Sequence, residues 1–230
     1  MVSTISFIQA KLQHSTAASR ILTRTVSVKG IVRALIQEPW YREDRIMGLN
    51  TPGYTVHSAG GTDRSRACIL ARNMTIWMLP GFSCGDLVAV LVKYIEDGAE
   101  RQLVVCSTYL PNDSEDSPLT KESEEFLQYC ENENLHLIMG CDSNAHHTAW
   151  GSTNCNDTGE VLVEFLNSLN LEILNRSNEA TFCTGSRLEV LWASRKHYKL
   201  GGIFRALPVG SQTYSVHSTG LRTSRPDQEP

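Results

Sequence analysis

Polar side chains follow directly after a short apolar run in the second half of the chain. Residues Leu135–Met139 predict a buried strand that stops at Gly140, and Asp142 and Asn144 come next. Strand ends that deliver a carboxylate and an amide into a loop often build polar sites on α/β sheets. Asp142 would hold a metal ion or a proton, and Asn144 would orient a phosphate oxygen or a water. The same residue types also favour an ordinary turn, so the spacing alone leaves both interpretations open.

A second carboxylate stands at the end of another predicted strand. The run Ile31–Glu38 is largely apolar, and Pro39 stops it because proline lacks the amide hydrogen that a sheet requires. Glu38 is therefore placed at the tip of this strand. Taken from the strand end alone, such a glutamate is a solvated side chain that binds nothing.

The remaining elements alternate between strands and helices. Sequence periodicity predicts a first strand at Thr4–Leu12 and amphipathic helices at Ser117–Asn132 and Thr158–Asn170. It also predicts strands at Ala67–Arg72, Ile76–Leu79, Asp86–Tyr94, Gln102–Tyr109 and Leu171–Leu174, a less regular helix at Thr16–Val28 and a loop at Arg42–Thr55. This order predicts an α/β fold of two packed sheets flanked by helices.

One stretch carries a more specific signal than its residue types alone. It reads Gly-Cys-Asp-Ser-Asn-Ala-His-His from Gly140, Trp-Gly-Ser from Trp150 and Asn-Asp-Thr-Gly from Asn156. This string resembles the exonuclease–endonuclease–phosphatase superfamily. It is most similar to the endonuclease domain at the front of the pol protein of insect non-LTR retrotransposons. The similarity extends from about Ile5 to Val190.

The resemblance implies a four-layer α/β sandwich that hydrolyses phosphodiester bonds of DNA with Mg²⁺ or Mn²⁺. It implies that Glu38 is the principal metal ligand and that Asp142 orients or deprotonates the attacking water. Asn144 and Tyr109 would hold the phosphate, although a boundary aromatic that packs under a loop is an equal alternative for Tyr109. An intact relative nicks DNA to prime reverse transcription. The implied partner is therefore DNA, the implied ancestral fusion is to a reverse transcriptase, and the implied location is the nucleus.

Two features depart from the family pattern. Lys11 stands where the family has an Asn, and it can neutralise a phosphate as a substrate-binding residue but cannot accept a hydrogen bond. After Leu191 the family's Asp-Ile-Thr-Leu and its terminal Ser-Leu-Ser-Asp-His are absent. When permitted codons for Trp192–His217 are read one base forward, one reading restores the family ending, with Ser-Asp-His written across Val209–Gln212. The sequence therefore predicts a frame-shifted tail.

These departures define the expected domain organisation. Residues 1–190 are expected to form an incomplete endonuclease-like domain, and residues 191–230 a poorly ordered, non-homologous tail. The C-terminal strands of the sandwich are then expected to be missing or disrupted, which would leave an open apolar sheet edge. Because the terminal His and Asp are lost, hydrolysis is expected to be impaired.

Composition sets further limits. The chain has 230 residues, of which 41% are hydrophobic, as expected for one globular domain. No apolar run approaches the roughly 20 residues that cross a bilayer, and no signal peptide is evident, so we expect an intracellular protein without a membrane partner. Seven scattered cysteines without Cys-x-x-Cys spacing indicate reduced thiols rather than disulfides or a zinc site.

The net charge of −4 is unusual for a protein that binds DNA, since such proteins normally carry a basic surface. Any basic surface must be local. The available arginines form either a track that binds phosphates or a solvated loop region, and the two interpretations are equally good. These arginines are Arg42, Arg45, Arg64, Arg66 and Arg72. His146 and His147 receive no role, because adjacent strand residues point to opposite faces and no third ligand has a useful spacing.

Three functions therefore stay open. The first is a retrotransposon endonuclease domain with impaired activity. The second is a superfamily phosphatase or phosphodiesterase that acts on a small substrate. The third is a non-catalytic remnant or binding protein in which Glu38 and Asp142 survive only by descent, an interpretation that Lys11 and the altered tail favour.

Overall fold

A computed structural model describes residues 4–60, 64–72, 76–96, 98–111, 119–169, 171–174, 190–194, 205–207 and 211–217. The helices are α1 (Thr16–Lys29), α2 (Lys121–Asn132) and α3 (Asp157–Ser168), with single 3₁₀ turns at Pro80–Phe82 and Thr148–Trp150. The strands are β1 (Thr4–Lys11), β2 (Arg33–Gln37), β3 (Tyr41–Arg42), β4 (Arg45–Ile46), β5 (Tyr54–His57), β6 (Ala67–Arg72), β7 (Ile76–Met78), β8 (Leu87–Glu96), β9 (Ala99–Tyr109), β10 (His136–Asp142), β11 (Leu171–Ile173), β12 (Val190–Ser194), β13 (Arg205–Leu207) and β14 (Ser211–His217).

The strands form two six-stranded mixed sheets and a small hairpin. The order in the first sheet is β13-β14-β1-β2-β6-β5, and in the second it is β11-β12-β10-β9-β8-β7. Each sheet has one parallel pair at its centre, β1 with β2 and β9 with β10, and antiparallel neighbours on both sides. In both cases a helix connects the two parallel strands, as a parallel crossover requires. We call these the first βαβ unit (β1-α1-β2) and the second βαβ unit (β9-α2-β10).

Three apolar clusters hold the layers together. One lies between the two sheets and includes Phe7, Leu35 and Val105. Another packs α1 on the outer face of the first sheet, and the third packs α2 and α3 on the outer face of the second. The molecule therefore consists of helix, sheet, sheet and helix layers. This confirms the predicted α/β fold of two packed mixed sheets flanked by helices.

Helix α1 forms although its sequence is rich in β-branched residues. The Ser15 side chain caps its first turn by accepting a hydrogen bond from the Ala18 N–H at 3.2 Å. Leu22 and Val26 are buried against the first sheet, so tertiary packing outweighs weak helix propensity.

The structure corrects several predicted boundaries. Strand β10 runs through Gly140 to Asp142, whereas the predicted strand stops at Gly140. The predicted loop Arg42–Thr55 contains the β3–β4 hairpin and the start of β5. Helix α2 begins at Lys121 rather than Ser117, and it is capped by Thr120, whose side chain accepts a hydrogen bond from Ser123 N–H. The predicted cap Ser117 and the following proline lie outside the described residues.

Three described segments of the predicted tail are strands. β12 pairs with β10 and with β11, and β14 pairs with β1 over seven residues. The sequence predicts an open apolar edge without naming a strand; in the described residues β14 pairs along β1, so that side of β1 is covered. The division of the chain at residue 190 stays a prediction, as does the origin of the tail. Among the described helices, none has the length and apolar character needed to cross a membrane.

Candidate functional site

Four strand ends meet at one rim of the sandwich. In the first βαβ unit Lys11 pairs with Gln37, so Glu38 follows at the end of β2. In the second βαβ unit Asp142 pairs with Tyr109, and both residues end their strands. Since parallel strands end at the same edge of a sheet, each unit presents two polar side chains there. The structure thus brings four of the five predicted site residues together at the strand ends, and the fifth, Asn144, contacts Asp142 from the loop that follows β10.

A buried network of amides joins the two sheets just below this rim. The Gln9 amide donates to the Cys141 carbonyl at 2.9 Å, and the Gln37 amide donates to Ser107 Oγ at 2.9 Å. Ser107 Oγ in turn donates to the Ile36 carbonyl at 2.9 Å. Each bond crosses from one sheet to the other. Each bond also pairs buried polar groups that would destabilise the fold if they lacked a partner. The network therefore fixes the relative position of the two βαβ units where their ends form the site.

The sheets also approach closely at Gly140. A Cβ atom at this position would lie 2.9 Å from Leu35 Cδ1 and 3.3 Å from the Gln9 amide carbon. Gly140, two positions before Asp142 in β10, therefore allows the two sheets to pack closely, because a side chain there would collide with the first sheet.

The Lys11 side chain lies between the two carboxylates of the site. Its Nζ atom is 2.6 Å from Asp142 Oδ2 and 3.6 Å from Glu38 Oε1. The Lys11 side chain is 10% exposed, that of Asp142 4% and that of Glu38 17%, so solvent screens these contacts little. The three groups form one buried ionic cluster.

Burial and charge act in opposite directions on this cluster. Burial alone would lower the pKa of Lys11, but the nearby Asp142 and Glu38 carboxylates outweigh it and raise that pKa above its usual value. Lys11 therefore carries a positive charge at neutral pH. Burial raises the pKa of Asp142, and the Lys11 ammonium and the Asn144 backbone N–H partly offset this shift.

The two carboxylates have the donor chemistry of a Mg²⁺ site, because magnesium prefers hard oxygen ligands. In this chain, however, the Lys11 ammonium occupies the space between Glu38 and Asp142. A divalent ion shared by these carboxylates would have to displace the ammonium and would then repel it at close range. The residues present therefore do not fit a divalent cation at this position.

The backbone of Glu38 is strained. Its φ of +48° lies in the left-handed region, which a glutamate rarely adopts and which costs on the order of 1–3 kcal/mol. Two hydrogen bonds hold it there: the Glu38 N–H donates to the Arg66 carbonyl at 2.8 Å, and the Glu38 carbonyl accepts from the His14 N–H at 2.9 Å. Such strain typically marks positions that a site requires.

Tyr109 is held by Arg66, an arginine of the predicted basic track, and by Asp86, to which the sequence gave no role. The Arg66 guanidinium pairs with both carboxylate oxygens of Asp86, and its Cζ atom lies 4.5 Å from the centroid of the Tyr109 ring. The Tyr109 N–H donates to the Asp86 carbonyl at 2.8 Å. Arg66 is thus bound to Asp86 and supports Tyr109, rather than belonging to a free basic track. Another arginine of the predicted track, Arg42, pairs with Glu43 on the surface.

Asn144 orders the loop that follows β10. Its side-chain amide donates to the Leu110 carbonyl at 2.9 Å, and its backbone N–H hydrogen-bonds the Asp142 carboxylate. Its φ of +52° is a conformation that asparagine tolerates better than most residues. Asn144 therefore stabilises the Asp142 carboxylate, and its predicted contact with a phosphate stays a prediction.

Much of the string from His146 to Gly159 is explained by folding. Asn156 Oδ1 accepts hydrogen bonds from the backbone N–H groups of His146 and Gly159, each at 2.9 Å, and so caps α3 and ties it to the loop. A Cβ atom on Gly159 would clash with the His146 carbonyl oxygen. Trp150 is fully buried in the cluster beneath α2 and α3.

His147 has neighbours that the sequence spacing did not reveal. Its ligand atoms and those of Cys155 and Glu160 lie within 4.8 Å of one another. The His147 Nδ1 atom accepts a hydrogen bond from the Ala149 N–H at 2.9 Å, so Nε2, 3.6 Å from Glu160, carries the ring proton. Neither ring nitrogen then has a free lone pair, and we assign no metal to this group.

The start of β14 also reaches this rim. Ser211 lies opposite Ala10, one residue before Lys11, whereas His217 lies opposite Thr4. His217 is thus seven residues along the strand from the position beside Lys11, or roughly 23 Å at the usual rise. The preceding residues 208–210 read Pro-Val-Gly and lie outside the described residues. In the described part of β14, no histidine stands near the site.

Comparisons with known proteins agree with the fold of two packed sheets flanked by helices. Residues 103–211 match the family described as endonuclease-reverse transcriptase. Among curated proteins, none matches the sequence.

Solved structures with the same fold include a retrotransposon endonuclease and a phosphatase. The endonuclease domain of TRAS1, a telomere-specific non-LTR retrotransposon, has a TM-score of 0.67 and 23% sequence identity, over 95% of this chain and 99% of that one. The catalytic domain of Xenopus laevis APE2 has a TM-score of 0.65 and 15% identity, over 93% and 91% of the two chains. A mannosyl-6-phosphatase of Bacteroides thetaiotaomicron has a TM-score of 0.60 and 13% identity, over 92% and 98%.

At these identities the solved structures show the fold, and the family match adds the sequence pattern of the second half of the chain. The chain therefore resembles the exonuclease–endonuclease–phosphatase superfamily both in sequence and in fold, and it shares its fold with a retrotransposon endonuclease domain.

Proposed function

We propose that this chain is a DNA endonuclease domain of the non-LTR retrotransposon type whose hydrolysis of phosphodiester bonds is strongly impaired. The observation that carries the proposal is the meeting of Glu38, Asp142 and Tyr109 at one rim, above the network that joins the two sheets. The description of the matched family supports an ancestral fusion to a reverse transcriptase. The proposal includes that the domain acts on DNA in the nucleus.

The side chains at the rim have complementary roles in this proposal. Asp142 accepts a proton from the attacking water, a task that its burial favours because burial raises the pKa of its carboxyl. The Lys11 ammonium and the Tyr109 hydroxyl face the phosphate, where a positive charge and a hydrogen-bond donor oppose its negative oxygens. Asn144 keeps the Asp142 carboxylate in position through its backbone N–H.

Impairment follows from what the rim lacks and from what it gains. The described part of β14 supplies no imidazole beside Lys11, so a group that would protonate or bind the phosphate is absent there. Lys11 also engages Asp142 at 2.6 Å and so competes for the carboxylate that would receive the proton. Groups that act as a unit typically lose orders of magnitude in rate when one is removed.

The test is a nicking assay on supercoiled plasmid DNA with Mg²⁺ or Mn²⁺, using the wild-type chain and Asp142→Asn. We expect slow conversion to the open circle by the wild type and at least about 10-fold slower conversion by the variant. Glu100→Gln is the matched control. Glu100 also forms an ion pair with a lysine, Lys93, but it lies at the opposite end of β9, where it stands across from Ile95 of β8. Equal nicking by the wild type and Asp142→Asn would contradict the proposed role of Asp142.

The Lys11 contact favours a second candidate, a non-catalytic DNA-binding domain. If the Lys11 ammonium stays paired with the Asp142 carboxylate, that carboxylate does not accept a proton from an attacking water. This candidate predicts that fluorescence anisotropy detects binding to a labelled duplex without Mg²⁺, while the plasmid remains fully supercoiled. Nicking that depends on Asp142 would exclude it.

A further inference from the structure

The ionic cluster of Lys11, Glu38 and Asp142 has the arrangement of a cation held by two carboxylates. The ammonium is within 4 Å of an oxygen of each, and the three side chains are at least four-fifths buried. A lysine in this place supplies a fixed positive charge where two buried negative charges would otherwise repel each other.

We propose that the Lys11 ammonium is the resident cation of this carboxylate pair and that it excludes divalent metal ions from the site. The inference rests on the proposed function and deepens it. In that site the lysine ammonium takes the place of a metal ion that could dissociate. It applies to this chain because its first strand ends in a lysine.

The backbone of Lys11 has little freedom to move away. β1 is paired with β2 on one side and with β14 on the other, and Lys11 itself pairs with Gln37. The side chain would therefore have to rotate out alone. Doing so would leave the Asp142 carboxylate, 4% exposed, without its close cation, and the arriving ion would have to compensate for that loss.

A direct titration with Mn²⁺ followed by electron paramagnetic resonance tests the proposal without reference to activity. It compares the wild type with Lys11→Asn, which removes the ammonium and leaves both carboxylates. Because a divalent ion and an ammonium at this separation repel strongly, we expect Mn²⁺ to bind Lys11→Asn on the order of 100-fold more tightly than the wild type. Lys93→Asn is the matched control, since Lys93 is also paired with a glutamate but lies on β8 away from the rim. It should bind Mn²⁺ like the wild type.

Two outcomes of the comparison between the wild type and Lys11→Asn would overturn the proposal. One is tight, stoichiometric Mn²⁺ binding by the wild type, and the other is equally weak binding by the wild type and a folded Lys11→Asn. If Lys11→Asn does not fold, Lys11→Gln provides the same comparison with a longer neutral side chain. The additional change Glu38→Gln should abolish the gain in Mn²⁺ affinity, because it removes one of the two ligands. Retained affinity in that double variant would place the ion elsewhere and would also refute the proposal.

The same variants separate this inference from the proposed function. If Lys11→Asn gains Mn²⁺ but does not bind or nick DNA, the resident-cation inference stands and the endonuclease proposal fails. If the wild type nicks DNA through Asp142 while Mn²⁺ binds both proteins equally, the endonuclease proposal stands and the inference fails.

Discussion

The two βαβ units have the same architecture but differ in how far their ends follow the family pattern. The second unit presents Tyr109 and Asp142, both of which match the residue types implied by the resemblance. The first unit presents Glu38, which also matches, and Lys11, which does not. Both units are nevertheless complete, with their strands paired and their helices capped at Ser15 and Thr120.

The difference teaches that the fold and the chemistry of this rim are specified by separate residues. Buried apolar side chains such as Ile36 and Ile138 determine how the strands pack, and they are equally well buried in both units. The side chains at the strand tips add ion pairs to the stability of the fold, but they do not determine how the strands pack. An Asn-to-Lys difference at position 11 can therefore change the chemistry of the site while the sandwich remains assembled.

The largest expected effect comes from removing the charge that distinguishes the first unit. Lys11→Met leaves two buried carboxylates without their cation, and we expect a loss of about 3–5 kcal/mol in the free energy of unfolding. Urea denaturation measures this loss. Lys93→Met, which breaks an ion pair at a more exposed position, should change stability by less than about 1 kcal/mol.

Adding Asp142→Asn to Lys11→Met should restore part of that stability, because it removes one of the two unpaired charges. If Lys11→Met alone is as stable as the wild type, the ionic cluster does not hold the ends of the two units together. The lysine that distinguishes the first unit then has no effect on the free energy of unfolding.

A smaller effect is expected from changing the separation of the two units. Gly140→Ala places a methyl group 2.9 Å from Leu35 Cδ1, and overpacking of this kind typically costs about 1–3 kcal/mol. The cost should appear as a lower urea midpoint. Gly81→Ala is the control, since nothing lies within 4 Å of its added Cβ. Equal midpoints for the two variants would mean that the sheets adjust freely at Gly140.

The smallest expected effect concerns the outer strands of the two sheets. Burial lowers the pKa of His57 on β5, whereas β7, at the same place in the second sheet, reads Ile-Trp-Met and carries no titratable group. The folded state then binds a proton at His57 less readily than the unfolded state. The associated stability is fully present above the unfolded-state pKa of about 6.5, and it is lost as the pH falls from there towards the lower folded-state pKa.

Thermal unfolding between pH 7.5 and pH 5 tests this prediction. His57→Gln should show a shallower decline of Tm with falling pH than the wild type, by a small but measurable margin. Identical slopes for the two proteins would show that His57 has the same pKa in the folded and unfolded states.

Two strands of the rim could be predicted because each contains a short apolar run that is followed by a proline or by a glycine and a polar cluster. Ile31–Glu38 and Leu135–Met139 gave β2 and β10 with small boundary differences, and this placed Glu38 and Asp142 at strand ends. The β3–β4 hairpin could not be predicted in the same way. Its strands have two residues each and carry no periodicity long enough to detect.

The contacts within the site were less predictable than its members. That Lys11 and Asp142 share a rim follows from strand order, but the 2.6 Å contact depends on the packing of one sheet on the other. The pairing of Arg66 with Asp86 joins residues 20 positions apart, and the arginines of the predicted track gave no sign of it. Only one feature of the sequence hinted at the hydrogen bonds between the sheets. It is the polar residue Gln37 at the end of an otherwise mostly apolar strand.

The hydrogen bonds between the sheets also have a consequence for the order of folding. Gln9 and Gln37 belong to the first sheet, and their partners Cys141 and Ser107 belong to the second, so neither sheet alone contains the complete site. An intermediate with one sheet formed would have half a rim and no ligand affinity. Binding is therefore coupled to the docking of the two halves, and a ligand of this rim would slow global unfolding rather than protect one local segment.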